Sequence, residues 1–141
     1  MTEESLQTAT FVTPALPWLE PHALPQRIEL GAGLDPSGVR TGLELLCAQP
    51  DVWAVLAFGS RARGDGAADS DLDLAVISEH PHLTPQDKLE AWRRYRQLLG
   101  SIPVGVDLLV NGKADAVRLA GSRWHVMGDV AREGRVLYVA S

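Results

Sequence analysis

The stretch AVLAFGSRARGDGAADSDLDLAVIS, residues 54–78, decides the fold. An apolar run reaches Phe58 and stops at Gly59-Ser60. Two arginines and two glycines follow, and then Asp71-Leu72-Asp73 leads straight into a second apolar run. Short, continuous apolar runs of this kind suit strands covered on both faces. We therefore read strands over 52–58 and 71–77. Residues i and i+2 of a strand share a face, so Asp71 and Asp73 project together while Leu72 and Leu74 point the other way. Two like charges at the mouth of a buried strand repel and are partly desolvated, and both effects oppose ionisation. A hard divalent cation such as Mg²⁺ reverses that cost, because it prefers carboxylate and phosphate oxygens.

Working outward, VGVDLLV (104–110) predicts a third strand, and Asp107 interrupts it as the one charged residue. Beside the second strand, Asp107 reaches the same ions. A single such aspartate is explained as well by a turn cap or by an arginine partner such as Arg61 or Arg63. Three of them, two at i, i+2 spacing, favour a shared site. The Gly59-Ser60 turn supplies the other half. A strand that ends there and enters a helical turn presents backbone N–H groups and the Ser60 hydroxyl to phosphate oxygens, with Arg61 or Arg63 neutralising charge. The Gly-Lys-Ser/Thr ending of a Walker-type loop is missing.

The rest of the chain alternates. LDPSGVRTGLELLCAQP (34–50) carries Asp35 as N-cap, Pro36 at the first helical position and a Val39, Leu43, Leu46 stripe, with Pro50 beyond its end. TPQDKLEAWRRYRQLLG (84–100) repeats that grammar, with Thr84 and Asp87 as a capping-box pair and Gly100 as the stop. Leu89, Trp92, Arg96 and Leu99 share one face of this helix, and Arg93 and Arg94 form a solvated edge. A helical stretch runs from about 114 to 133 with a break near Gly121, and RVLYV (135–139) closes as a strand. Trp124, Met127, Val130 and Ala131 are expected in the core, and His125 is read as a surface or packing residue. His80 and His82 belong to an ordinary loop. The fold class is α/β: a small mixed sheet flanked by helices.

A chain of 141 residues with 45% apolar content fits one domain with a real core. We place it at 27–141, behind a proline-rich arm at 1–26 that holds Pro14, Pro17, Pro21 and Pro25. The arm reads as a loose extension, or as a segment docked through Phe11, Trp18 and Leu19. The net charge of −5 argues against general nucleic-acid binding. The single cysteine, Cys47, excludes an intrachain disulfide framework and reads as a buried small hydrophobe. Without a membrane-spanning run or a secretory leader, a soluble cytoplasmic protein is expected.

Gly59-Ser60, ten residues, Asp71-x-Asp73 and a later strand carboxylate, Asp107, together resemble the signature of the DNA polymerase β-type nucleotidyltransferase superfamily, especially its minimal (MNT) branch. The resemblance implies that Asp71, Asp73 and Asp107 are catalytic and bind Mg²⁺, with two ions. It also implies that Gly59 and Ser60 bind the phosphates of ATP, and that AMP moves from ATP to a hydroxyl. Little more than 30 residues follow Asp107, so an oligomeric neighbour or a partner protein is expected to complete the site. Free-standing MNT proteins pair with HEPN toxins, which implies a tyrosine of such a toxin as the acceptor and an antitoxin role. The alternatives are a small-molecule nucleotidyltransferase of the aminoglycoside-modifying kind, and a non-catalytic antitoxin that neutralises its partner by binding.

Overall fold

The computed structural model describes residues 15–141. Along the chain lie α1 (Pro36–Cys47), β1 (Val52–Phe58), α2 (Gly59–Arg63), β2 (Leu72–Ser78), α3 (Pro85–Leu99), β3 (Val106–Gly112), α4 (Lys113–Ala120), α5 (Val126–Glu133) and β4 (Arg135–Val139). The strands form one sheet in the order β3-β2-β1-β4. β1 is antiparallel to β2 and β4, whereas β2 and β3 run parallel through the α3 crossover. The expected small mixed α/β sheet is what forms.

Two apolar layers sandwich the sheet. On one face Val39, Leu43 and Leu46 of α1 and Ala91, Tyr95 and Leu99 of α3 meet Val55, Leu72, Leu74, Val76 and Leu108. On the other, Ala116 and Ala120 of α4 and Met127 and Val130 of α5 cover Ala54, Leu56, Ala75 and Ile77. Coverage on both faces is why the strands read as unbroken apolar runs rather than alternating ones.

The helix ends follow local chemistry. The Asp35 carboxylate accepts the Gly38 N–H at 2.8 Å. Thr84 and Asp87 complete their reciprocal capping box. Each such cap stabilises its helix by about 1 kcal/mol. Cys47 is buried, and desolvation pushes its thiol up to about 12.

Three sequence expectations need correction. β2 and β3 begin at Leu72 and Val106, one and two residues later than read, and the Leu72 N–H donates to Gly105 O just outside the ladder. On α3 the buried stripe is Ala91, Tyr95 and Leu99, while Leu89 and Trp92 are 43% and 39% exposed. Tyr95 wins the core position because its hydroxyl reaches Asp51 Oδ2 at 2.6 Å, which satisfies the polar tip of a buried ring. Arg94 is exposed with Arg93, as expected of a solvated edge, and pairs with the same Asp51 carboxylate. Trp124 is 88% exposed, unlike its buried neighbours Met127, Val130 and Ala131. The His125 ring caps α5 by accepting the Met127 N–H at 3.0 Å, so Trp124 precedes the helix and misses its buried register.

Within the N-terminal segment, Trp18 is 1% exposed in the α4/α5 layer and Leu19 points outward. His22 exchanges both backbone hydrogen bonds with Val139 of β4. Phe11 lies outside the described residues. Among the described residues no helix is long and apolar enough to cross a membrane.

Candidate active site

Strand register builds the site. Asp73 stands opposite Phe58 across β1–β2 and opposite Asp107 across β2–β3. The parallel pairing puts Asp73 and Asp107 on the same face, and Asp71 shares it by i, i+2 spacing. Three carboxylates separated by up to 36 positions in sequence therefore collect at one end of the sheet, where β1 gives way to α2.

Two glycines let the backbone close around these carboxylates. Gly59 has φ +73°, a region that favours glycine, and a Cβ there would lie 2.1 Å from Asp73 Oδ2. The turn and the second aspartate are thus in direct apposition. A Cβ on Gly105 would lie 2.4 Å from Asp71 Oδ1, so that carboxylate rests over the backbone two residues before Asp107. Sequence reasoning passed over Gly105, although an isolated glycine in a strand-like run signals close approach.

The electrostatics are those of crowded anions. Burial, then the neighbouring Asp107 and Asp71, hold the Asp73 carboxyl above its ordinary value of 3.8, with Arg63 pulling the other way. Arg63 is partly exposed and shared with Asp65 Oδ2 at 3.3 Å and Glu133 Oε1 at 3.1 Å. The donor set is hard, anionic oxygen, which suits Mg²⁺. Among the described residues no three such side chains close a cage that could hold an ion by themselves. An open set of this kind fits an ion that keeps water ligands and takes further oxygens from a bound phosphate.

Ser60 lies at the start of α2, whose first turn has no side-chain cap. Its hydroxyl sits close enough to Gly66 that a Cβ there would be 3.1 Å away. Arg61 departs from the reading as a phosphate ligand. It is 3% exposed, and its guanidinium donates to the carbonyls of Leu30, Ala32, Ala67, Ala68 and Ser70. All five of its N–H groups are engaged. Of the two arginines, Arg63 is the one whose charge acts on Asp73. His82 pairs with Asp115 at 2.9 Å, near the opposite end of β2, away from the carboxylate cluster.

Comparison with known proteins places the chain in a family. A family model described as polymerase beta, nucleotidyltransferase, matches residues 43–141. The chain belongs to the polymerase beta nucleotidyltransferase family. The match spans β1 to β4 and every carboxylate of the cluster. A search of curated proteins found no match. Among solved structures, the chain is similar to a toxin–antitoxin protein crystallised with AMP-PNP, at 22% identity over 72% of this chain and 73% of that one, TM-score 0.47. It is also similar to a nucleotidyltransferase described from Sulfolobus solfataricus, at 20% identity over 77% and 93% of the two chains, TM-score 0.45. A variant of the MntA–HpeT toxin–antitoxin pair gives 19% identity over 70% of each chain, TM-score 0.44.

Proposed function

We propose that this family member transfers AMP from ATP to a hydroxyl acceptor, using Asp71, Asp73 and Asp107 as Mg²⁺ ligands and Gly59-Ser60 as the triphosphate cradle. The observation that carries the reading is the register that sets Asp73 opposite both Phe58 and Asp107. It brings the turn and the carboxylates to one place, as nucleotidyl transfer requires.

Bound Mg²⁺, two ions in this reading, would supply the positive charge that stabilises the attacking and leaving oxygens together. The chain's own residues do the rest. Uncapped N–H groups of the Gly59-Ser60 turn and the Ser60 hydroxyl orient the phosphates, and Arg63 balances charge at the rim. Asp107, exposed at the edge, accepts the proton of the incoming hydroxyl. The acceptor oxygen bonds to the α-phosphorus as the bond to the bridging oxygen breaks, and pyrophosphate leaves in line.

Asp71 and Asp107 are exposed, so the mouth is open to a hydroxyl carried by a macromolecule. Together with the resemblance to the MNT branch, this favours a tyrosine of a HEPN-type toxin as acceptor and an antitoxin role. The test is transfer of label from α-labelled ATP, with Mg²⁺, to a co-purified partner. Label should pass with wild-type protein and fall by about a thousandfold in Asp71→Ala and Asp73→Ala. Equal neutralisation of the partner by those variants would sink the catalytic account and leave an antitoxin that works by binding.

A further inference from the structure

Arg61 makes five hydrogen bonds that the chemistry of the reaction does not use. Its Nε donates to Ser70 O at 2.9 Å. One terminal nitrogen donates to Leu30 O at 2.7 Å and Ala32 O at 2.8 Å. The other donates to Ala67 O at 3.3 Å and Ala68 O at 2.9 Å. These acceptors come from two separate segments, a strap at 30–33 and the loop at 67–70. Arg61 itself follows Ser60 directly, and Ser70 precedes Asp71 directly. One buried side chain therefore ties the phosphate-facing turn to the root of the paired aspartates.

From this geometry we infer that Arg61 is a positioning residue, fixing Gly59-Ser60 relative to Asp71 and Asp73 by clamping the strap and the loop together. The inference rests on the proposed function of those residues. A guanidinium that swung out to a phosphate would give up five hydrogen bonds, leaving the buried Leu30 carbonyl without this donor, at a desolvation cost. The contact between strap and loop is backbone against backbone. Gly33 has φ +86°, and a Cβ there would lie 2.1 Å from Ala68 O. The loop is closed on itself by the Ala67 N–H donating to Ser70 Oγ at 2.7 Å and the Ser70 N–H to Ala67 O at 3.1 Å. Lysine cannot replace this arginine, because an ammonium offers three donors from one point rather than a planar fork.

Three variants test the clamp: Arg61→Lys, Arg61→Met and Gly33→Ala. Gly33→Ala loosens the same contact from the strap side and leaves the arginine in place, so the test survives if Arg61→Met does not fold. Steady-state label transfer should show kcat down about tenfold to a hundredfold, as expected for a misplaced site, with KM for ATP within about twofold of wild type. Amide hydrogen exchange of residues 67–71 should speed up in all three, with residues 74–77 in the core of β2 unchanged. A raised KM with kcat intact, rescued by Arg61→Lys, would make Arg61 a phosphate ligand and overturn the inference. So would unchanged exchange at 67–71 in the folded variants. If the wild-type chain transfers no label, the proposed reaction fails, and the exchange comparison alone still decides whether the clamp exists.

Discussion

Asp51 and Asp73 are the same chemical group at opposite ends of the β1–β2 pair, and their surroundings treat them in opposite ways. Asp51 sits just before β1, at the end where Val52 pairs with Ser78, and Asp73 sits where Phe58 ends the strand. Burial alone would raise the Asp51 carboxyl, but hydrogen bonds from Arg94 and Tyr95 outweigh it and hold the group below 3.8. Asp73 is also partly buried, but its near neighbours include Asp107 and Asp71, and the group is held above 3.8. A carboxylate given donors serves the fold. One crowded by other carboxylates is a cost that a bound cation removes.

The largest expected effect separates these two roles. Asp51→Ala should destabilise the protein by about 2 kcal/mol, since Arg94 and the buried Tyr95 hydroxyl lose their shared acceptor. The folded fraction should keep its transfer activity. Asp73→Ala should do the reverse, losing transfer with little or no loss of stability. Chemical denaturation combined with label transfer on both variants makes the comparison. Loss of both properties in both variants would erase the distinction.

A smaller effect is expected in the pH dependence of stability without metal. The Asp51 carboxyl is depressed in the folded state, so its contribution is present above its unfolded value and is lost as pH falls through its folded value. The Asp73 carboxyl is raised, so its contribution is present below its unfolded value and is lost as pH rises through its folded value. Asp51→Asn should therefore weaken the loss of stability on acidification, relative to wild type. Asp73→Asn should lessen the loss on going from acid to neutral pH. Urea midpoints across that range check both signs, and parallel profiles for the two variants would contradict the contrast.

Much of this was legible in the sequence because its signals are local. Asp35-Pro36 and Thr84-x-x-Asp87 mark helix starts by chemistry confined to a single turn, and the strand runs announce two-sided burial by composition. The carboxylate cluster was legible for a related reason, since i, i+2 spacing sets Asp71 and Asp73 on one face before any fold is known. The carbonyl partners of Arg61 were not legible because those at Leu30 and Ala32 are 31 and 29 residues upstream, and only the tertiary fold brings them to it. The α3 stripe failed similarly. Leu89 and Trp92 are the more apolar choice, but the acceptor that lets Tyr95 into the core lies on Asp51, 44 residues earlier. Gly105 is different: its signal was local and was overlooked.

The central claim is that the crowding around Asp73 is a site for a metal-bound nucleotide. Its most direct test is the melting temperature of wild-type protein and Asp73→Asn at neutral pH, each with and without Mg²⁺ and a non-hydrolysable ATP analogue. Without ligand, Asp73→Asn should melt at the same temperature or up to about 3 °C higher, because a like charge has gone. With ligand at a hundredfold excess over its Kd, the wild type should gain about 2.7 kcal/mol of stability and Asp73→Asn almost none. An equal ligand-induced rise in both proteins, or a rise in neither, would contradict the account.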